Sequence, residues 1–412
     1  MRNGDTDGGK PVRVAVVNTH PIQYFAPLYA YITKHESAID LTALYCSDYS
    51  LRGAVDAGFS QTVRWDIDLL SGYRHVFLGK AARTRKPAGF FSLIVPQLWR
   101  EIRSGKYDVL WLHGYGYFAC VLAFLAAKSM GMPVLLRGET HLQLHRTEWR
   151  RRTRDRVLRW CFRYIDGFLA IGSRNRDYYR AMGVPDERIH IVPYTVDNER
   201  FIDASTLSAD ERTQVRKKLG FPTDVPVVLY ASKLVERKHP HTLLRAIGQL
   251  QRSGVAVSLC LIGSGPMEAE LQELAKTLRL KNTVFLGFLN QSELPRAYAA
   301  SDVFVLAAES EPWGLIVNEV MCAGLPVVIS EELGCAVDLL RPGENGLQVV
   351  AGDIGGLAEA LRLVLSDTPA REQMGTNSRR RMHDWSYAEC AAGLRDALSA
   401  PEKSISIPPG RD

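Results

Sequence analysis

The chain has 412 residues, 46% of them hydrophobic and 23% charged, which excludes a disordered or fibrous protein and gives length for two domains rather than one core. Its seven cysteines (Cys46, Cys120, Cys161, Cys260, Cys322, Cys335 and Cys390) are odd in number, scattered and never at metal-ligand spacing. A disulfide framework is therefore excluded, and buried thiols in a reducing compartment are expected. The net charge is +6, and the stretch from Arg146 to Arg163, with eight arginines against Glu148 and Asp155, carries an excess of the same size.

Met1 to Lys10 is polar and Gly-rich and reads as a flexible N-terminus, without the apolar core of a signal peptide. Val12 to Asn18 is a β-branched run ending in a polar turn, the pattern of a buried parallel strand. The same pattern recurs at Leu41 to Cys46, Tyr107 to His113, Pro133 to Arg137, Gly167 to Ser173 and Ile189 to Pro193, with helical stretches between most of them. The apolar run Tyr115 to Ala127 is too short for a bilayer span and reads as a buried helix. A cytoplasmic protein, or one held at the inner face of a membrane, is expected.

A polar segment from Tyr194 to about Asp224, holding one charged helix (Ala209 to Leu219), marks the domain junction. Strands then resume at Val225 to Ala231, Val255 to Gly263, Thr283 to Gly287, Val303 to Ala307 and Pro326 to Ser330. Helices are expected at Thr242 to Arg252, Glu268 to Leu278, Ser292 to Ala300, after Gly314, and at Ile354 to Leu365. This alternation predicts an α/β protein of two Rossmann-like, doubly wound parallel-sheet domains facing a central cleft, spanning residues 11–200 and 201–385. A helix over about 386–398 is expected to pack back on the first domain. The tail 401–412, with Pro408-Pro409-Gly410, reads as disordered.

Ligands of open parallel sheets bind at the carboxyl ends of the strands, so the residues ending each strand are the candidates. The segment Glu311-Pro-Trp-Gly-Leu-Ile-Val-Asn-Glu319 sets one carboxylate in a turn and a second on the helix behind it. The helix start at Gly314 and Leu315 offers free N–H groups and partial positive charge to a phosphate. Glu319 lies on the same helix face as Leu315, about 6 Å further along the axis, at the right depth for a ribose diol. Glu311 is left to face what hangs off the phosphate, and Trp313 lies between the two carboxylates. The arrangement suits a nucleotide-sugar.

Three other strand ends converge on the same crevice. Ser232-Lys233-Leu-Val-Glu-Arg-Lys238 places two lysines five apart to flank a diphosphate without a metal, although solvated loop lysines have the same pattern. Gly263 and Gly265 permit close backbone approach to a ligand, or simply a tight turn. Phe288 and Leu289 follow Gly287, where backbone groups can read a base edge.

In the first half, His20, Gln23 and Tyr24 end strand one and are candidates for the acceptor side, while Glu139 and His141 end strand four and are candidates for the sugar. Asp66-Ile-Asp68 matches the Asp-x-Asp pattern of metal-dependent sugar transferases, but a solvated loop explains it better. His113 reads as a core-edge histidine. No metal site and no cofactor is expected. The Arg146 to Arg163 stretch, interleaved with Trp149, Leu158, Trp160, Cys161 and Phe162, can rest on an anionic membrane or simply be a solvated helix whose aromatics enter the core. No nucleic-acid recognition motif accompanies it.

Glu311 to Glu319 resembles the Glu-x7-Glu signature of the retaining glycosyltransferases of the GT-B fold, family 4. Ile189-His-Ile-Val-Pro-Tyr-Thr-Val-Asp197 is similar to that family's crossing segment, Leu261 to Pro266 to its glycine turn, and Arg341-Pro-Gly-Glu-Asn-Gly346 to its closing turn. The resemblance covers most of the chain. It implies that Lys233 and Lys238 clamp the donor diphosphate, that Gly314 and Leu315 give it backbone N–H groups, that Glu319 holds the ribose and that Glu311 approaches the donor sugar. His141 or Glu139 corresponds approximately to the family's sugar-facing histidine. Three departures stand out: Lys233 replaces the usual Arg, the first strand lacks the Gly-Gly loop and carries His20-Pro-Ile-Gln-Tyr24 instead, and counting puts Glu139 where the histidine is expected.

The implied activity is transfer of a hexose from a UDP- or GDP-sugar to a hydroxyl of a glycan or lipid-linked acceptor, with retention and without a metal. Bacterial exopolysaccharide or lipopolysaccharide assembly is the setting the resemblance suggests. Two alternatives stand beside it: a sugar-nucleotide epimerase or hydrolase on the same fold, and a non-enzymatic module that binds membranes or polyanions.

Overall fold

The computed structural model describes residues 10–56, 58, 61–78, 89–144 and 148–399. Residues 1–9 of the expected flexible N-terminus, the tail 401–412 and Arg146 lie outside the described residues, as do the side chains of Trp149, Arg150, Arg151 and Arg152. Fifteen strands are described: β1 Val12–Asn18, β2 Ile39–Tyr45, β3 Ala54–Asp56, β4 Gln61–Val63, β5 Arg74–Phe77, β6 Val109–His113, β7 Val134–Arg137, β8 Gly167–Ala170, β9 Ile189–Ile191, β10 Val227–Ala231, β11 Ser258–Ile262, β12 Thr283–Gly287, β13 Val303–Leu306, β14 Val327–Ser330 and β15 Gly346–Val349.

The strands form a seven-stranded sheet ordered β5-β2-β1-β6-β7-β8-β9, a six-stranded sheet ordered β12-β11-β10-β13-β14-β15, and a small antiparallel pair, β3 and β4. Both large sheets are parallel throughout; β1, for example, runs beside β2 from Val12 opposite Ile39 to Asn18 opposite Tyr45. The buried runs follow from this architecture, because helices cover both faces of a parallel sheet. Alternate residues of β1 serve opposite cores: Val14 and Val16 face one, Ala15 and Val17 the other. The chain thus forms the two doubly wound domains that its alternation predicts.

Four elements escape the apolar pattern. β5 and β15 are edge strands with partly exposed, mixed-polarity residues. The helix Asn198–Ser205 lies inside the polar junction, so that junction holds two helices rather than one. The helix Thr368–Arg381 buries only Arg371, Gly375 and Ser378; Gly375 sits so close to the Gly324 carbonyl that a Cβ there would lie 2.1 Å from its oxygen.

The chain passes between the domains twice. It crosses first near Tyr194 to Asp197 and returns near Trp385, and the Asn198 amide ties the two crossings by donating to the carbonyls of Met382 (2.9 Å) and Trp385 (3.1 Å). The final helix, Tyr387–Ser399, lies on the first sheet. Gly393 allows this: a Cβ there would stand 2.0 Å from the Ile191 carbonyl oxygen of β9. His190 on β9 meets Asp396 of the helix at 2.8 Å, and Arg395 pairs with Glu36. Of the seven cysteines, six are buried and Cys161 is half-buried, and all are unpaired thiols.

Candidate active site

The carboxyl ends of the two sheets face each other across a cleft of about 520 Å³. The β4–β5 connection of the first domain meets the segment after β12, and the segment after β8 meets the segments after β14. At the β12 end, Trp65 packs on Phe288 (6.2 Å between ring centres), the Asn290 amide donates to the Arg64 carbonyl (2.7 Å), and Asp66 accepts from the Ser292 backbone and hydroxyl. At the β14 end, Asp338 accepts from Ser173 (2.9 Å from its N–H) and Arg174 donates to the Glu331 carbonyl (2.6 Å). Both ends of the cleft are thereby fastened.

Glu311 follows β13 and is the electrostatic centre of the cleft. Its Oε2 accepts from Lys238 Nζ at 2.5 Å and from Arg237 at 2.8 Å. Burial opposes the carboxylate's charge, but Lys238 and then Arg237 outweigh it and hold the group below the ordinary carboxylate range. His141, buried at the end of β7, binds the backbone carbonyl of Glu311 through Nε2 at 3.0 Å. A carbonyl oxygen only accepts, so Nε2 carries the proton. Burial keeps the ring below its ordinary pKa and hence neutral, leaving Nδ1 as a buried acceptor without a protein partner.

Behind Glu311, Gly314 takes φ 96°, a left-handed conformation that favours glycine, and starts the helix Leu315–Cys322 at the cleft. Glu319 is on that helix with no exposure to solvent. It accepts from Tyr24 of the first domain at 2.9 Å and from Tyr298 at 2.7 Å, one hydroxyl on each oxygen. Burial raises its pKa, partly offset by these two bonds. The carboxylate read as a ribose ligand is therefore held by a tyrosine from the opposite domain.

The remaining candidates fall into two groups. Ser232, Lys233, Gly263, Phe288, Leu289 and Trp313 line the cleft with Lys238, Glu311, Gly314, Leu315 and Glu319; Gly265 and the buried His141 are not on its wall. The two glycines are explained by packing within the protein: a Cβ at Gly263 would meet the Ser232 carbonyl oxygen at 2.0 Å, and one at Gly265 the Leu234 carbonyl oxygen at 2.5 Å. Trp313 is a buried hub whose Nε1 donates to Asn318 (3.0 Å), with its ring against Tyr194 and Trp385.

On the first-domain wall, His20 meets Tyr49 Oη through Nε2 (2.9 Å) and Thr19 Oγ1 through Nδ1 (2.7 Å); Gln23 and Tyr24 stand beside it. Glu139 accepts from Tyr194 Oη at 2.7 Å, and burial raises its pKa. Arg137 lies beside the stacked rings of Phe25 and Tyr194, 5.5 and 5.1 Å from their centres. His113 is half-buried at the edge of the first-domain core, bound to Tyr29 Oη at 3.0 Å. Asp68 caps its own turn by accepting from Leu70 (2.9 Å) and Ser71 (3.1 Å).

Arg237, Tyr298, Tyr49 and Trp65 were not legible as site residues. Arg237 adjoins Lys238 and gave the one available signal; the others are brought in by tertiary packing. The basic stretch forms the helix Glu148–Phe162, with Trp160 58% exposed. Among the described residues, no helix is long and apolar enough to cross a membrane.

Two family models match. Residues 211–381 match "Glycosyl transferases group 1", and residues 48–195 match "Glycosyl transferase 4-like domain". Similar proteins include an alpha-D-kanosaminyltransferase of Streptomyces kanamyceticus, 26% identical over 63% of this chain and 68% of its own. A sulfoquinovosyl transferase of Arabidopsis thaliana is 28% identical over 73% of this chain and 58% of its own. A lipopolysaccharide core biosynthesis glycosyltransferase of Rhizobium meliloti is 37% identical over 39% of this chain and 45% of its own. These matches span between about half and two thirds of the relatives' lengths. Among solved structures, HepE of Anabaena in complex with UDP and glucose superposes over 94% of this chain and all of its own, with TM-score 0.70 and 19% identity. Sucrose-phosphate synthase of Thermosynechococcus elongatus superposes over 94% of this chain and 98% of its own, with TM-score 0.69 and the same identity. With both halves matched in order and one cleft between them, the chain belongs to the group 1 glycosyltransferases of the GT-B fold.

Proposed function

We propose that this glycosyltransferase moves a hexose from a UDP- or GDP-sugar to a hydroxyl of a glycan or lipid-linked acceptor, with retention and without a divalent ion. The observation that carries the reading is the Lys238–Glu311–Arg237 cluster beside the start of the helix Leu315–Cys322. A diphosphate entering there meets Lys233, Lys238 and the helix N–H groups, which stabilise charge growing on the leaving phosphate. His141, buried behind the cleft wall, positions Glu311 through the bond from Nε2 to its backbone carbonyl, and Glu311 borders the space that the sugar would enter. Closure of the cleft over a bound donor would exclude water and so suppress its hydrolysis. The donor assignment is further supported by a structural neighbour that holds UDP and glucose.

The acceptor belongs, on this proposal, to bacterial exopolysaccharide or lipopolysaccharide assembly, consistent with the lipopolysaccharide core biosynthesis role of the Rhizobium relative. The helix Glu148–Phe162, with exposed Val157 and Trp160 among arginines, is proposed to rest on an anionic membrane surface. The test is incubation with UDP- and GDP-sugars, with and without acceptor and chelator, with the product anomer read by NMR. Retention, acceptor dependence and indifference to chelator are expected. Rapid stoichiometric turnover of donor alone would replace the reading with that of a hydrolase or epimerase.

A further inference from the structure

Trp65 is fixed at the cleft by its two chain neighbours. It follows β4, and the residues on either side of it are bound to the second domain. The Arg64 carbonyl accepts from the Asn290 side-chain amide (2.7 Å), and the Asp66 N–H donates to Asn290 Oδ1 (3.4 Å). The Asp66 carboxylate accepts from the Ser292 N–H (3.2 Å) and from its hydroxyl. Held on both sides, the half-buried Trp65 ring lines the cleft and meets Phe288, which lines it too. We infer that Trp65 is a nucleobase-binding residue: the base of the donor packs against its indole, so the first domain takes part in donor recognition. The inference rests on the nucleotide-sugar reading and goes beyond it by assigning a first-domain residue to the base.

Position and chemistry support the assignment. Glu311 follows β13 and Phe288 follows β12, and the sheet order β12-β11-β10-β13 sets those strands roughly 14 Å apart at the usual strand spacing. A nucleotide laid along the cleft covers such a distance, with its diphosphate at Lys238 and the helix start and its ribose at Glu319. Gln291 stands beside Glu319, where its side chain favours the charged carboxylate, and Phe288, Leu289 and Leu294 line the cleft from the same stretch of chain. The base, one bond past the ribose, arrives among these residues and next to Trp65. Every base has a flat π-face, so contact with an indole binds it without choosing between bases. The choice falls to groups that meet the base edge, which the backbone after Gly287 and the Gln291 amide can supply. Because Trp65 is held by bonds to Asn290 and Ser292, base and clasp are coupled. A donor bound in the closed cleft favours the clasp, and the clasp favours the donor by the same factor.

The test titrates the full chain with UDP or GDP, whichever binds, by calorimetry and by tryptophan fluorescence. Trp65→Leu keeps an apolar side chain against Phe288 but has no aromatic face. With its melting temperature unchanged, it is expected to bind the nucleotide at least about fivefold more weakly, the lower end of what one aromatic face contributes to a stacked base. Its affinity for ribose 5-diphosphate, which has the sugar and phosphates but no base, is expected to change by less than about twofold. Trp65→Phe restores an aromatic face and is expected to recover most of the lost nucleotide affinity, while part of the fluorescence quenching seen on nucleotide binding to the wild type disappears. A loss below fivefold in folded Trp65→Leu overturns the inference, as does an equal loss for ribose 5-diphosphate. Quenching in Trp65→Phe identical to that of the wild type overturns it as well, and decides alone if Trp65→Leu does not fold. If neither nucleotide binds the wild type, the donor reading itself fails, which is a different result from nucleotide binding that is indifferent to Trp65.

Discussion

Replacing Tyr24 by Phe isolates the contact that spans the cleft at Glu319. The Tyr24 hydroxyl lies 2.9 Å from one oxygen of a carboxylate that has no solvent exposure, and Tyr298 holds the other oxygen at 2.7 Å. A hydrogen bond to a charged or strongly polar buried acceptor contributes about 1.5–3 kcal/mol, and its loss leaves that oxygen unsatisfied. Tyr24→Phe should therefore lower the stability of the empty protein by about that amount. Nucleotide binding should move the other way. On the proposed ribose role of Glu319, a ribose hydroxyl competes with Tyr24 for that oxygen in the wild type and meets no competing hydroxyl there in the variant. Recovering about 1.4 kcal/mol corresponds to a roughly tenfold lower Kd for UDP or GDP. The assay is calorimetric titration of both proteins with the ribonucleotide and with its 2′,3′-dideoxy analogue, beside thermal melts without ligand. The gain should appear for the ribonucleotide alone. Equal Kd values for wild type and variant, or an equal gain for the dideoxy compound, would remove Glu319 as the ribose ligand and Tyr24 as its stand-in.

Lys238→Ala removes a buried partner of Glu311 and the proposed diphosphate cation together, and is expected to lower kcat/KM by at least about 2 kcal/mol of transition-state stabilisation, near the range for loss of one oxyanion donor; near wild-type turnover would exclude the clamp. Because Glu311 has its pKa held below the ordinary carboxylate value, its charge contributes stability that is fully present above that value and is lost as pH falls through the lower folded one. Chemical denaturation of wild type and Glu311→Gln should accordingly show a stability difference that narrows as pH drops below about 4, and a gap that widens with acid would reverse the assignment. Gly393→Ala drives a methyl toward the Ile191 carbonyl and should lower the melting temperature through displacement of the final helix, with nucleotide affinity measured in parallel. Binding to anionic but not neutral vesicles, weakened by salt and by Trp160→Ala, is expected for the helix Glu148–Phe162; equal binding to both vesicle types would discard the electrostatic account.

What the chain announces in advance follows from distance along the backbone. β1, β10 and β13 are runs of apolar or β-branched residues because both faces of a parallel sheet are covered, so they stand out in sequence. Glu311 and Glu319 are equally plain, since a turn and a helix fix their spacing locally. β5 and β15 do not stand out, because an edge position removes the demand for an unbroken apolar run. The partners of the two carboxylates are hidden for a different reason. Tyr24 lies 295 positions from Glu319, and His141 lies 170 from Glu311; only the packing of one domain on the other brings them together. The glycines of the 263–265 turn carry the opposite lesson, since a pattern suited to ligand approach is accounted for by the neighbouring Ser232–Leu234 backbone.

Asn198, which joins the outgoing and returning connections, sets the mechanics of substrate entry. Two parallel tethers clipped at one place act as the pin of a hinge: they let the halves swing apart but resist sliding and torsion. Admission of a bulky donor then proceeds by angular opening about that pin, with the Asp66–Ser292 latch among the bonds that must be released.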